Sequence, residues 1–141
     1  MINRRELKKN SNNSHNPNKN VCAWAVAKMF GAHNETRYLH TSDDLKRAVR
    51  KRYKVRSRLS CLPKGSTVAA YKRKCQQLSI DLECEEIHVL GFIVIVENHA
   101  LGLRHDGSVY VDTDPRERDR RKVLEFYIVY KETPLGEWFF D

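Results

Sequence analysis

A cysteine that opens an apolar segment is the first residue in this sequence whose type and position could do chemistry. Cys22 stands second in VCAWAVAKMF, where residues 21–30 carry a single charge and are apolar on every side, a pattern typical of a buried helix. In the first turn of a helix a thiol lies near unpaired N–H groups and the positive end of the dipole, which lowers its pKa and favours the nucleophilic thiolate. Cys22 is therefore a candidate nucleophile, although cysteine is also among the residue types most often simply buried.

His99 is the candidate base, because it opens the segment HALGLRHDGSVYVDTDP, in which an Asp-Gly pair predicts a hairpin. With a two-residue turn at 106 and 107, strand pairing places Asp114 directly opposite His99 and Asp112 on the diagonal, on the same face. A carboxylate that holds one imidazole nitrogen leaves the other nitrogen to accept a thiol proton. The alternative for both carboxylates is turn chemistry before Pro115.

Helical patterns occupy the first half of the chain. Gly31 is suited to end a helix at residues 21–30, and hydroxyl and carboxylate side chains at 41–44 predict the start of a second. Leu45, Val49 and Tyr53 continue that second helix as an apolar stripe. Residues 65–67 predict the start of a third helix, whose apolar stripe is Val68, Tyr71, Cys75 and Leu78.

From Ile80 onward the apolar residues alternate with period two, which predicts strands. Helices followed by an antiparallel sheet define an α+β class. Residues 1–19 predict a polar, flexible leader because they offer little apolar surface to bury, and residues 20–141 predict a single domain. The predicted strand segments are 80–84, 92–96, the two arms of the hairpin at 101–103 and 109–111, and 123–130, followed by an aromatic tail at 138–140 that we expect to dock on the core.

In this order the pieces resemble papain-like cysteine peptidases, most closely the small forms encoded by bacteriophages. The resemblance spans about residues 20–115 and rests on NVCAWAVAKMFG, STVAAYKRKCQQLSI and GFIVIVENHALGLRHDGSVYVDTDP. It implies a papain-like fold and a hydrolase of peptide, isopeptide or amide bonds, with Cys22 as nucleophile, His99 as general base and Asp112 as orienting acid. Asp114, in an Asp-Pro pair like that of bacteriocin-processing peptidases, is the alternative third member.

The same resemblance implies an oxyanion donor before the cysteine, where the family has a glutamine. This chain has no glutamine there and offers Asn16, Asn18 and Asn20 instead, each a candidate donor beside the backbone N–H of Cys22. A second resemblance, to cysteine/histidine-dependent amidases that cleave peptidoglycan, rests on the Cys-x-aromatic start of the helix and on a histidine before a Gly-Ser hairpin. A basic surface would suit their anionic substrate.

The net charge gives a third interpretation, a basic binding protein that is not an enzyme. The chain has 26 Lys and Arg residues against 18 Asp and Glu, a formal charge of +8. Many of the cations fall on the predicted basic helix 43–58, where Arg47, Lys51 and Lys54 could contact phosphates and Tyr53 could stack on a base. Such a run is also typical of a solvated helix face.

Composition excludes several other classes. The longest apolar stretches are far shorter than the roughly 18 residues that cross a bilayer, and no secretion signal opens the sequence, so we expect a cytoplasmic protein, in the host cytoplasm if phage-encoded, without membrane contact. Reduced thiols are expected there. Cys61, Cys75, Cys84 and His88 include no Cys-x-x-Cys pair, so we expect neither metal nor cofactor. A protein or peptide substrate is the expected partner.

Overall fold

The computed structural model describes Leu7 and residues 21–35, 39–114 and 119–132. Within these ranges the chain forms three α-helices and a five-stranded antiparallel sheet, which confirms the α+β class. The elements are α1 (Val21–Met29), α2 (Ser42–Arg50), β1 (Lys54–Ser57), a short 3-10 turn (Leu59–Cys61), α3 (Val68–Glu83), β2 (Ile87–Val96), β3 (His99–Leu103), β4 (Val109–Val111) and β5 (Glu125–Glu132).

The sheet has strand order β1-β5-β2-β3-β4 and separates two apolar layers. Alternate side chains of each strand point to opposite faces, so each face carries its own core. One core lies between the sheet and α1 and α2, and we call it the α1-face core; the other lies under α3, and we call it the α3-face core. The α1-face core includes Cys22, Val26, Leu45, Val49, Ile93, Ile95 and Ala100, whereas the α3-face core includes Val68, Tyr71, Cys75, Phe92, Val94, Val96 and Leu101.

Two glycines let α1 approach the sheet closely. A Cβ at Gly102 would lie 2.6 Å from Met29 Sδ, and one at Gly91 would lie 2.6 Å from the carbonyl oxygen of Leu103 and 2.9 Å from Met29 Cε. Real Cβ atoms do not come this close to their neighbours, so both positions need glycine. The helix that carries the candidate nucleophile is thereby packed directly against β2 and β3.

The helix boundaries follow the predicted capping residues. Gly31 has φ +67° directly after α1, and its N–H donates to Lys28 O at 2.9 Å. Thr41 and Asp44 form a reciprocal capping box at the start of α2. Thr67 accepts a hydrogen bond from Ala70 N at 3.3 Å and so caps α3.

The predicted basic helix 43–58 is wrong in its second half. α2 ends at Arg50, and the chain re-enters the sheet as the edge strand β1, in which Val55 pairs with Val129 of β5. Pairing with β5 satisfies the backbone of this segment, and Val55 packs against the α1-face core. Tyr53 also contacts that core, but from the turn that follows the helix.

The predicted strand at 80–84 is also wrong, because α3 continues to Glu83. Leu78 and Leu82, four residues apart, are both buried on the sheet side of α3. Ile80 lies between them on the solvent side, where it is 50% exposed. The short alternation of apolar residues here was therefore part of a helical period.

The β3–β4 hairpin forms as predicted, but its turn is longer than two residues. Arg104 N donates to Ser108 O at 2.8 Å, and the register shifts by one residue between Gly102 and Leu103. Gly107, with φ +89°, brings the tip against α3: a Cβ there would lie 2.1 Å from Lys72 O. The tip therefore requires glycine both for its backbone conformation and for its contact with the helix.

One position of the predicted leader is described, and it contacts the core. Leu7 is buried in the α1-face core, and its N–H donates to His40 O at 2.9 Å. The rest of the leader and the aromatic tail at 138–140 lie outside the described residues. Within the described ranges, no helix combines the length and the apolar character needed to cross a membrane.

Candidate active site

A histidine and a carboxylate meet where β3 begins and β4 has just ended. His99 is the first residue of β3, and its Nε2 lies 2.7 Å from Oδ1 of Asp112, the residue after β4. The two side chains are 13% and 6% exposed. The pair is therefore partly shielded from water, which strengthens the interaction between an imidazole and a carboxylate.

Asp112 is fixed by two further donors. Arg121 donates through one guanidinium nitrogen to Oδ2 at 2.9 Å, and the backbone N–H of Asp114 donates to Oδ1 at 3.0 Å. Burial by itself raises the pKa of Asp112, but the hydrogen bonds from Arg121, Asp114 and His99 outweigh it and hold that pKa below its usual value. Asp112 is consequently a carboxylate at neutral pH.

This arrangement sets the proton positions on the imidazole. An ionised carboxylate only accepts hydrogen bonds, so the network assigns a proton to Nε2 of His99. In the neutral ring Nδ1 is then the nitrogen that can accept a proton. This is the geometry that a general base and its orienting carboxylate require.

The structure places the two candidate carboxylates in different positions. Asp112 contacts His99, whereas Asp114 lies near Arg121, whose guanidinium is 3.5 Å from its Oδ2. The predicted pairing put Asp114 directly opposite the histidine, but β4 ends at Val111, so the following residues leave the ladder. The diagonal carboxylate of the prediction is the one that reaches the ring.

Arg121 is the site residue that the sequence did not reveal. It belongs to the charged connection before β5, where five of the eight residues from 115 to 122 are Lys or Arg and no periodicity distinguishes one from another. Backbone contacts fix the position of Arg121. Val68 N, at the start of α3, donates to Arg121 O at 2.9 Å, and Thr67 forms an antiparallel β-bridge with Lys122. The start of α3 thereby holds this arginine against Asp112.

Cys22 lies where the sequence placed it, in the first turn of α1. Its side chain is 3% exposed and packs in the α1-face core. None of the other three cysteines lies in the first turn of an α-helix. Burial raises the pKa of Cys75 far above its ordinary value and raises that of Cys61 as well, while Cys84 is exposed at the end of α3.

The direction of α1 brings Cys22 to the end of β3 at which the histidine lies. Val26 packs against Gly102, with Cγ1 3.8 Å from the position of an added Cβ. Phe30, one turn later, packs against Gly91, which lies further from the start of β3. α1 therefore runs in the same direction as β3, and its first turn points toward the start of that strand.

Cys22 and His99 approach this end from different faces of the sheet. His99 pairs with Val96, whose side chain lies in the α3-face core, whereas the next residue, Ala100, lies with Cys22 in the α1-face core. Within the described residues no hydrogen bond joins His99 to Cys22. The structure thus brings His99 and Asp112 together on one face of the sheet, whereas Cys22 lies on the other face.

The remaining candidates divide between described and undescribed residues. Asn16, Asn18 and Asn20 lie outside the described residues. The three basic candidates each have a partner: Arg47 bonds Asp43 at 2.6 Å, Lys51 donates to Glu35 O at 2.8 Å, and Lys54 pairs with Glu132 at 3.3 Å. The carboxylates of Asp43 and Glu132 compensate the charges of Arg47 and Lys54, whereas the carbonyl that Lys51 contacts is neutral.

Among the described residues no group of three or more His, Cys, Asp and Glu side chains is placed to hold a metal ion. No protein-family model, curated protein or solved structure matches this chain.

Proposed function

We propose that this protein is a papain-like cysteine hydrolase in which Cys22, His99 and Asp112 cleave a peptide, isopeptide or amide bond. The observation that carries the proposal is the 2.7 Å contact between His99 Nε2 and an ionised, hydrogen-bonded Asp112. The position of Cys22, in the first turn of a helix directed toward the start of β3, supplies the third member. A thiol, an imidazole and a carboxylate in these roles are sufficient for acyl transfer.

The proposed reaction begins with transfer of the Cys22 proton to His99 Nδ1, after which the thiolate attacks the substrate carbonyl carbon. A C–S bond forms, and the C–N bond breaks as the imidazolium returns its proton to the leaving amine. Water then attacks the thioester with His99 as base, releasing the acid and restoring the thiol. Asp112 stays ionised and stabilises the imidazolium throughout.

This cycle requires sulfur and imidazole to come within hydrogen-bond distance. They lie on different faces at the start of β3, beyond the last residue of β4, so the first turn of α1 must close over the strand end. Catalytic hydrogen bonds are often long without substrate and shorten only in the complex. Closure over a bound peptide is therefore part of the proposed mechanism.

The test uses a reagent that needs no specific substrate recognition, p-nitrophenyl acetate. We expect rapid release of nitrophenolate with one acetyl group on Cys22, located by peptide mass spectrometry, and loss of that burst in Cys22→Ala. Cys84→Ala is the matched control, because it removes an exposed thiol and should leave the burst intact. Acetylation that follows Cys84, or that survives Cys22→Ala, would overturn the proposal.

The class of substrate is then determined with two arms, a mixture of fluorogenic peptides and purified peptidoglycan. We expect cleavage of peptides and none of peptidoglycan. Cleavage of peptidoglycan alone would assign the same residues to a wall amidase.

A further inference from the structure

A cavity of about 380 Å³ lies at the other end of β3, away from His99. It is lined by Met29, the last residue of α1, by Phe30, which follows it, and by Arg104 and Tyr110 of the β3–β4 hairpin. This volume is within the usual range of small-molecule sites, roughly 300 to 1,000 Å³. The cavity is separate from the proposed active site, since Cys22, His99 and Asp112 do not line it.

The charge that lines this cavity is positive. Arg52, Arg104 and His105 contribute to the lining, which includes no carboxylate. Arg52 forms an exposed pair with Glu35 at 3.5 Å, so a ligand can compete for its guanidinium. The cavity therefore favours an anionic ligand.

Arg104 is held in place by the hairpin itself. Its guanidinium donates to Val109 O at 2.7 Å and to Ser108 Oγ at 3.3 Å, both neutral acceptors. Within the described residues it forms no ion pair with a carboxylate. Its guanidinium is thus fixed in position by neutral acceptors, with the exposed Asp106 carboxylate close enough to interact with it, and this fixed position lowers the cost of binding an anion there.

An exposed aromatic ring lies beside this cation. Tyr110 is 54% exposed, unusual for a large side chain on the described surface, and the guanidinium carbon of Arg104 lies 5.1 Å from its ring centroid. Exposed aromatic rings with adjacent arginines are typical of surfaces that stack nucleic-acid bases and contact phosphates. The ring and the two guanidiniums lie around one cavity.

We propose that this cavity binds a nucleotide unit, with the base against Tyr110 and the phosphate between Arg52 and Arg104. A free nucleotide and one unit of a single strand present the same chemistry to these residues. Arg52 belongs to the run 43–58 that was predicted as a basic helix, but the phosphate contacts predicted there, Arg47, Lys51 and Lys54, do not line this cavity. It uses residues that the fold gathers from α1, the turn before β1, and the hairpin.

The experiment has one arm for each source of the nucleotide. Isothermal titration calorimetry with AMP and with UMP measures the free ligand up to about 1 mM, a weak limit for small ligands. Fluorescence anisotropy with a fluorescein-labelled single-stranded oligouridylate, at low and moderate salt, measures the strand. Binding in either arm supports the site and identifies the source, and absence of binding in both arms overturns it.

Three variants locate the binding. We expect Tyr110→Ala and Arg104→Ala each to weaken it about 10-fold, from loss of stacking and of a phosphate contact, while Tyr110→Phe retains it. Arg56→Ala is the matched control, because Arg56 also lies over a tyrosine, 5.5 Å from the ring of Tyr130, but outside this cavity. If Arg56→Ala weakens binding as much as Arg104→Ala, net charge alone explains the affinity and the proposal fails.

Discussion

The two ends of β3 place charged side chains in opposite circumstances. At the His99 end the imidazole, Asp112 and Arg121 satisfy one another in a partly buried network. At the Arg104 end the cations line an open cavity whose lining includes no carboxylate. A partly buried network can hold and move a proton, whereas cations around an open cavity, where Arg52 has only an exposed partner in Glu35, can bind an external anion. The two ends of one strand therefore offer different settings, and the proposed catalysis and the proposed anion binding each depend on one of them.

Substitution of the histidine gives the largest expected difference between the ends. His99→Ala removes the general base, so acetylation of Cys22 by p-nitrophenyl acetate should slow by about 100- to 10,000-fold. His105→Ala, at the other end of the strand, should leave that rate unchanged. The measurement is the burst rate of nitrophenolate, and equal rates in the two variants would show that His99 is not the base.

Asp112→Asn tests the partly buried network through stability. The variant leaves the guanidinium of Arg121 facing a neutral amide, which we expect to cost about 3 kcal/mol of unfolding free energy in urea. The native pKa of Asp112 is below its unfolded value of about 3.9. The stability that the ionised side chain contributes is therefore fully present above the unfolded pKa and is lost as pH falls through the native pKa.

The pH dependence separates this effect from general damage to the fold. Stability of the native protein should begin to fall below about pH 5 and should continue to fall as pH drops through the lowered native pKa of Asp112, and part of that fall should disappear in Asp112→Asn. An unchanged acid profile in the variant would mean that Asp112 is not the group held ionised by the network.

Gly107→Ala should disturb the cavity end more than the histidine end. An added Cβ would lie 2.1 Å from Lys72 O and occupies a backbone with φ +89°, so we expect a loss of about 2 kcal/mol. Gly65→Ala is a matched control, because Gly65 has φ +87° with no atom within 4 Å, and it should cost about 1 kcal/mol. Urea unfolding of both variants measures the difference, and equal losses would contradict the close contact of the hairpin with α3.

The smallest effect is expected at a surface pair that belongs to neither end. Lys54 and Glu132 are both more than half exposed and lie 3.3 Å apart. Lys54→Gln should change unfolding free energy by less than about 0.5 kcal/mol, because water and salt screen such pairs. If Lys54→Gln lost as much unfolding free energy as Asp112→Asn, solvent exposure would not explain the difference between this exposed ion pair and the partly buried pair of Asp112 and Arg121.

Local patterns predicted most of the fold. Capping at Thr41, termination at Gly31 and the apolar stripe of α3 depend on neighbouring residues, and the structure has all three. The strand at 54–57 could not be predicted, because its partner β5 lies more than seventy residues later in the chain and the basic run itself fits a helix. The predicted strand at 80–84 instead belongs to the end of α3, which runs to Glu83 with Cys84 as its C-cap. A short alternation of apolar residues there fits a helical period as well as a strand period.

The sequence also predicted part of the candidate site. The histidine and the two carboxylates could be found from the hairpin, since pairing places them on one face. Which of the two carboxylates contacts His99 depended on where β4 ends, and the sequence did not reveal that position. Arg121 lies beside Asp112 because its backbone contacts the start of α3, and no local sequence pattern encodes that contact. The cavity at the other end needed the tertiary structure altogether, because its residues come from separate segments.

The most direct test of the central claim is the rate at which iodoacetamide alkylates each cysteine of the native protein, measured from pH 5 to 9 by peptide mass spectrometry. Cys84 serves as an exposed thiol and Cys75 as a buried one with a raised pKa. We expect Cys22 alone to react quickly below pH 7, and we expect His99→Ala to abolish this reactivity. A Cys22 that is inert, or that reacts like Cys84 with and without His99, would contradict the proposed thiolate–imidazolium pair.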